Sequence, residues 1–155
     1  MKQWEFRDLS DCKEFLQMRI THKAGNIFID QTAYLQKVIQ RFGMTNAKTA
    51  RTPLPQEYKP LPNENPVDPA LRLKFQSVIG SLLYIMLGTR PDIAYAVTVM
   101  SQFAVNPSRE HLDKALYICR YLAGTSEYSL VYEGRSNQGL IAYTDSDWAS
   151  DPIKH

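Results

Sequence analysis

The sequence is short of the features that mark several common classes of function. It has two cysteines in 155 residues, Cys12 and Cys119, far apart and in no motif. They give no support to a disulfide and read as two ordinary thiols in a reducing, intracellular compartment. The three histidines, His22, His111 and His155, show no ligand spacing, and none suggests catalysis. No run of about 18 uninterrupted apolar residues occurs. The stretch Val78 to Leu87 is too short and is bounded by Arg90, so no membrane partner is expected. No charged-then-apolar leader opens the chain, so no secretory signal is expected. Charge of one sign is also scarce. Eighteen Lys/Arg face 16 Asp/Glu, and the net of +2 does not by itself argue for nucleic-acid binding.

The distribution of charge is more informative. Residues 1–52 hold nine Lys/Arg and five Asp/Glu, whereas residues 53–155 hold nine and eleven. A phosphate backbone, if one binds, is expected at the basic part. Hydrophobic content is 44%, enough for a packed core. The longest apolar stretch, Phe75 to Val97, is broken only by Gly88-Thr89-Arg90-Pro91-Asp92. That reads as two helices meeting at a tight corner, with the core built on them.

Before this stretch, Phe15 to Ile20 and Ile27 to Ile29 flank Gly25-Asn26 and predict a β-hairpin. Tyr34, Leu35, Val38, Ile39 and Phe42 recur at helical spacing, with Asp30 or Thr32 as cap and Gly43 as stop. Six of nine prolines lie in residues 44–69, so an extended linker that hugs the surface is expected there. Asp68-Pro69 predicts the start of a second helix. Its stripe is Phe75, Val78, Ile79, Leu82, Leu83 and Met86, and Gly80 and Ser81 are expected to let a neighbouring helix come close. A third helix turns Ile93, Ala94, Val97, Met100 and Phe103 inward. A fourth, capped by Ser108 and closed by Gly124, turns Leu112, Ala115, Leu116, Cys119 and Leu122 inward. Tyr128 to Tyr132 and Leu140 to Thr144 predict a second hairpin. The fold class is therefore α+β: an N-terminal β-hairpin, a helical bundle and a C-terminal β-hairpin.

The order of motifs resembles the reverse transcriptase region of copia-type LTR retrotransposon Pol polyproteins, and the plant mitochondrial open reading frames derived from it. The matching pieces are Phe6-Arg-Asp-Leu9, Phe15-Leu-Gln-Met-Arg-Ile20, Tyr34 through Met44, Thr52-Pro-Leu54, Ile79-Gly-Ser-Leu-Leu-Tyr84, Thr89-Arg-Pro-Asp-Ile-Ala-Tyr-Ala96, Arg120-Tyr-Leu-Ala-Gly-Thr125 and Tyr143-Thr-Asp-Ser-Asp-Trp-Ala149. The resemblance covers nearly the whole chain. It implies that residues 1–29 are the end of a palm with a primer-grip hairpin over 15–29. It implies a thumb over 30–125, and the start of an RNase H domain over 126–155.

The resemblance also implies the chemistry. The parent activity is RNA-directed DNA polymerisation, with carboxylates holding two Mg²⁺ ions. No Asp-Asp pair occurs in this sequence. Asp145 is the one RNase H-type carboxylate carried over, a metal ligand only in a complete parent domain. The chain alone is thus expected to be inactive and to need no cofactor. Gln17, Arg19, Lys37 and Arg41 are the expected nucleic-acid contacts, and an RNA/DNA or DNA duplex, held weakly and in a salt-sensitive way, is the expected partner. Lys37 and Arg41 read equally as a solvated helix face. The family commonly has Gly at the position of Gln17. Arg90 is expected to pair with Asp92 or cap carbonyls, and Tyr84, Tyr95, Tyr117 and Tyr121 to pack the bundle. Self-association through an exposed palm edge is the remaining alternative, and the parent element implies the cytoplasm or a virus-like particle as its location.

Overall fold

The computed structural model describes residues 12–134 and residue 142. Its sheet begins with two tight turns in which both central residues take positive φ. Leu16 (48°) and Gln17 (61°) join β1 (Glu14–Phe15) to β2 (Met18–Lys23). Ala24 (50°) and Gly25 (79°) join β2 to β3 (Asn26–Asp30). Such turns match the right-handed twist of the strands they connect. The expected hairpin is present, with Arg19 opposite Asp30 and Lys23 opposite Asn26. Its turn falls one residue earlier than Gly25-Asn26, because Asn26 is taken into the ladder.

β4 (Leu130–Glu133) pairs antiparallel with β3, Leu130 opposite Ile29 and Glu133 opposite Asn26. The sheet order is β1-β2-β3-β4. Residues 130–133 thus extend the sheet of the N-terminal hairpin. The outer edge of β3 offers unpaired backbone groups, and the strand following the helices satisfies them. The second strand expected over 140–144, and Trp4, Phe6, Asp145 and Trp148, lie outside the described residues.

Four helices follow the hairpin. α1 (Thr32–Arg41) buries Leu35, Val38 and Ile39, and Gly43 ends it at φ +72°. Residues 44–68 form neither helix nor strand. They are strapped down instead: the Asn63 amide donates to Asn106 Oδ1 (3.1 Å), and the Asn106 amide donates back to the Asn63 carbonyl (2.9 Å). α2 (Pro69–Gly88) starts with Asp68 Oδ1 accepting from the Ala70 and Leu71 N–H groups. A short 3₁₀ turn, Pro91–Ile93, leads into α3 (Ala94–Ser101). α4 (Arg109–Gly124) opens with a capping box between Ser108 and His111.

The core lies among the helices. Phe75, Val78, Leu82, Ile85, Ile93, Val97, Met100 and Ile118 are fully buried, each worth roughly 1.5–3 kcal/mol relative to exposure. No strand residue belongs to this cluster among the described residues. The inward phase of two helices differs slightly from expectation. Ile85 and Ile118 are fully buried, whereas Leu83, Met86 and Leu116 pack only at the edge. Gly80 is exposed, and among the described residues no neighbouring helix lies against it. Gly88 is the close-packed glycine of α2: a Cβ there would lie 2.4 Å from Gln31 Oε1. Among the described residues α2 is also the one helix long and apolar enough to cross a membrane. Its buried face is occupied by α3 and α4.

Candidate nucleic-acid interface

A groove of about 900 Å³ runs between β2, the end of β3 and α1. Gln17, Arg19 and Lys37, named from the sequence, all line it, and Lys13 joins them. Gln17 comes from the β1–β2 turn, Arg19 from β2 and Lys37 from the outer face of α1. Gln17 sits in the left-handed region at φ 61°. A glycine at this position would therefore relieve a turn residue.

The turn is held in place from behind. The Tyr84 phenol donates to the Leu16 carbonyl, and the Tyr34 and Tyr84 rings meet edge-on, 4.8 Å apart and 69° inclined. Tyr84 was expected only to pack the bundle. Its second role needs the hairpin to fold back 68 residues in sequence, which periodicity along one helix does not reveal.

The electrostatics of the groove are balanced. Lys13, Arg19 and Lys37 face Glu14, Asp30 and Glu127. Arg19 Nε donates to Asp30 Oδ2 at 2.9 Å. Burial works against the Asp30 carboxylate, but hydrogen bonds from Arg19 and Thr32 outweigh it and hold its pKa below the ordinary value. Lys13 and Lys37 make no ion pair among the described residues, so they are the charges left for an external anion. Arg41 is not in the groove. Its guanidinium donates to Ser77 Oγ (3.0 Å) and lies over the Phe42 ring (5.3 Å). The helix spacing that suggested a paired Lys37–Arg41 contact is real, but Arg41 is turned toward α2.

Arg90 has the structural role expected of it and is 2% exposed. Its guanidinium forks onto Asp92 (2.9 and 2.7 Å), donates to the Thr125 carbonyl (2.9 Å) and Oγ1 (2.6 Å), and lies against the Tyr121 and Tyr128 rings. The Tyr121 phenol donates to Asp92 Oδ2 (2.9 Å). Burial opposes ionisation of Asp92, yet the Arg90 and Tyr121 hydrogen bonds hold its pKa below the ordinary value. His111 is also buried. Its Nδ1 accepts from the Ser108 N–H (3.0 Å) and its ring stacks on Phe103 at 4.0 Å. That acceptor role fixes the neutral tautomer with the proton on Nε2, and burial lowers its pKa. No group of three His, Cys, Asp or Glu side chains converges to hold a metal among the described residues.

Comparison with known proteins supplies the context. Residues 1–56 match the sequence profile of the reverse transcriptase (RNA-dependent DNA polymerase) family. The chain is 37% identical to a retrovirus-related Pol polyprotein from the transposon TNT 1-94 of Nicotiana tabacum, over 97% of this chain and 12% of that protein. It is 34% identical to an uncharacterized mitochondrial protein of Arabidopsis thaliana, over 94% of this chain and 60% of that protein. The Pol polyprotein from transposon RE1 of Arabidopsis thaliana is 32% identical over 97% of this chain and 10% of its own length. The chain thus spans a small part of the polyproteins and about three fifths of the mitochondrial protein. No solved structure matches it.

Proposed function

We propose, for a chain that belongs to the copia-type retrotransposon Pol sequences, that its hairpin and helices form a grip on a nucleic-acid duplex. On this reading residues 1–29 are the end of the palm and residues 30–125 the thumb of a reverse transcriptase. The observation that carries it is the convergence of Gln17, Arg19 and Lys37 on one groove, with Lys13 beside them. The cations and the turn suit a phosphate backbone. Glu14 and Glu127 oppose a polyanion, so binding is weak, and the phosphate contacts of Lys13 and Lys37 make it fall with salt. A labelled RNA/DNA hybrid titrated at low and at high salt tests this. Binding at low salt that is lost at high salt is expected, and absence of binding at low salt overturns it.

The same reading assigns these 155 residues no polymerase or RNase H turnover of their own. A two-metal site needs a set of converging carboxylates, and the sequence has no adjacent aspartate pair. Asp145 is a single member of such a set. Primer-extension and hybrid-cleavage assays with Mg²⁺ or Mn²⁺ check this, and reproducible turnover by pure protein refutes it. One observation favours a second reading, self-association. Among the described residues β1 is an edge strand, and it and its turn leave Phe15 and Leu16 59% and 62% exposed. Sedimentation at several concentrations decides it, and a concentration-independent monomer counts against it.

A further inference from the structure

Two chain connections join the sheet to the helical body among the described residues: Asp30–Thr32 leads from β3 into α1, and Thr125–Ser129 leads from α4 into β4. Two adjacent residues at the α2–α3 corner hold both. Thr89 Oγ1 donates to Gln31 Oε1 at 2.9 Å in a fully buried contact. Arg90 takes the carbonyl and hydroxyl of Thr125 and lies against Tyr128. The two connections are also tied to each other, since Thr32 Oγ1 donates to the Ser126 carbonyl at 3.1 Å. Gly88 completes the arrangement, because any side chain there would displace Gln31. Among the described residues the sheet contributes none to the hydrophobic core. The other ties of the sheet to the helices, among the same residues, are the Tyr84–Leu16 contact, the Thr32 N–H to Asp30 Oδ1 bond and the contacts of α1 with β2.

We infer that Thr89 and Arg90 form a clamp on the hinge between sheet and helical body, and that this clamp sets the width of the groove. Arg90 is then a positioning residue. It touches no groove atom itself and acts through Thr125 and β4. The physical basis is geometric. A buried guanidinium with a planar fork fixes the directions of several acceptors at once, which a lysine ammonium at the same site does not. Its consequence for duplex binding rests on the grip reading above; the clamp itself does not.

Hydrogen exchange on the full chain tests it. In Arg90→Lys, the amides paired between β3 and β4 are expected to lose tenfold or more in protection, while those of α2 and α4 change by less than twofold. Should that variant not fold, Thr89→Val, which removes one hydroxyl and keeps the shape, is expected to show the same pattern at smaller amplitude. Equal loss in strands and helices, or no loss in either, overturns the clamp. A hybrid titration run in parallel separates the two claims. Wild-type protein that fails to bind refutes the grip and leaves the exchange pattern to decide the clamp. A loosened sheet with unchanged hybrid affinity refutes control of the groove by the clamp.

Discussion

Replacing Gly88 with alanine perturbs the hinge with a single methyl group. A Cβ at this position would meet three atoms of the Gln31 side chain, at 2.4, 2.7 and 2.8 Å. Real Cβ atoms do not approach so closely, so Gln31 must move. Moving it breaks the buried Thr89–Gln31 hydrogen bond, a loss of about 1 kcal/mol, with about 1–3 kcal/mol more when buried polar atoms lose their partners. Gln31 Nε2 has no partner among the described residues, so the bond at stake is the one its Oε1 accepts from Thr89. Forcing volume into a packed site adds about 1–3 kcal/mol. Alanine recovers up to about 1 kcal/mol of helix propensity over glycine, less at this last position of α2. These terms sum to about 2–7 kcal/mol, and the lower end is expected because the obstructing atoms are the far end of the Gln31 side chain; at about 2 kcal/mol the fall in Tm is roughly 4–8 °C for a chain of this length. Urea denaturation of Gly88→Ala, Gln31→Ala and the double variant measures it. In the Gln31→Ala background the Gly88→Ala effect should shrink below about 1 kcal/mol, since the obstructing side chain is gone. A Tm for Gly88→Ala equal to or above wild type, or additive effects in the double variant, refutes the tight packing of this corner.

Gln17→Gly should stabilise the chain by about 0.5–1 kcal/mol by relieving a left-handed turn residue, read as a rise in the urea midpoint. Acid should destabilise in two stages. Burial holds the His111 pKa below 6.5, so the unfolded chain takes up this proton first, and stability falls as pH drops below about 6.5. Asp30 and Asp92 lie below 3.8 when folded. Their contribution is present above that value and is lost as pH falls through the folded pKa values. Denaturation midpoints between pH 8 and 2 trace both stages, and His111→Gln should remove the first alone. Burial pushes the Cys119 thiol up to about 12, whereas Cys12 is exposed. A thiol reagent should therefore label one cysteine quickly and the second only on unfolding.

Much of the fold was legible because its signals are local. Asp68-Pro69 and Ser108 start helices through backbone N–H groups within the first turn, and Gly43 stops one through its own φ. The stripes Leu35–Val38–Ile39 and Phe75–Val78–Ile79–Leu82 follow from 3.6-residue periodicity. Phase within a nearly all-apolar helix was not legible. Leu83 and Ile85 are equally hydrophobic, and only the positions of α3 and α4 decide that Ile85 faces them. The pairing of β4 with β3 spans about a hundred residues and leaves no local mark. Of the residues named from the sequence, Gln17, Arg19 and Lys37 line one groove. The loss of Arg41 to Ser77 was not legible, nor was the tether from Tyr84 to Leu16, since both contacts depend on how separate elements pack.

The grip on a duplex is tested most directly by the salt dependence of hybrid binding in wild type, Lys37→Ala and Lys13→Ala/Lys37→Ala. Each phosphate contact contributes about 0.9 to the slope of log K against log salt. The account predicts a slope reduced by about one in the single variant and about two in the double variant, with weaker binding at every salt concentration. Identical slopes in all three proteins would contradict it.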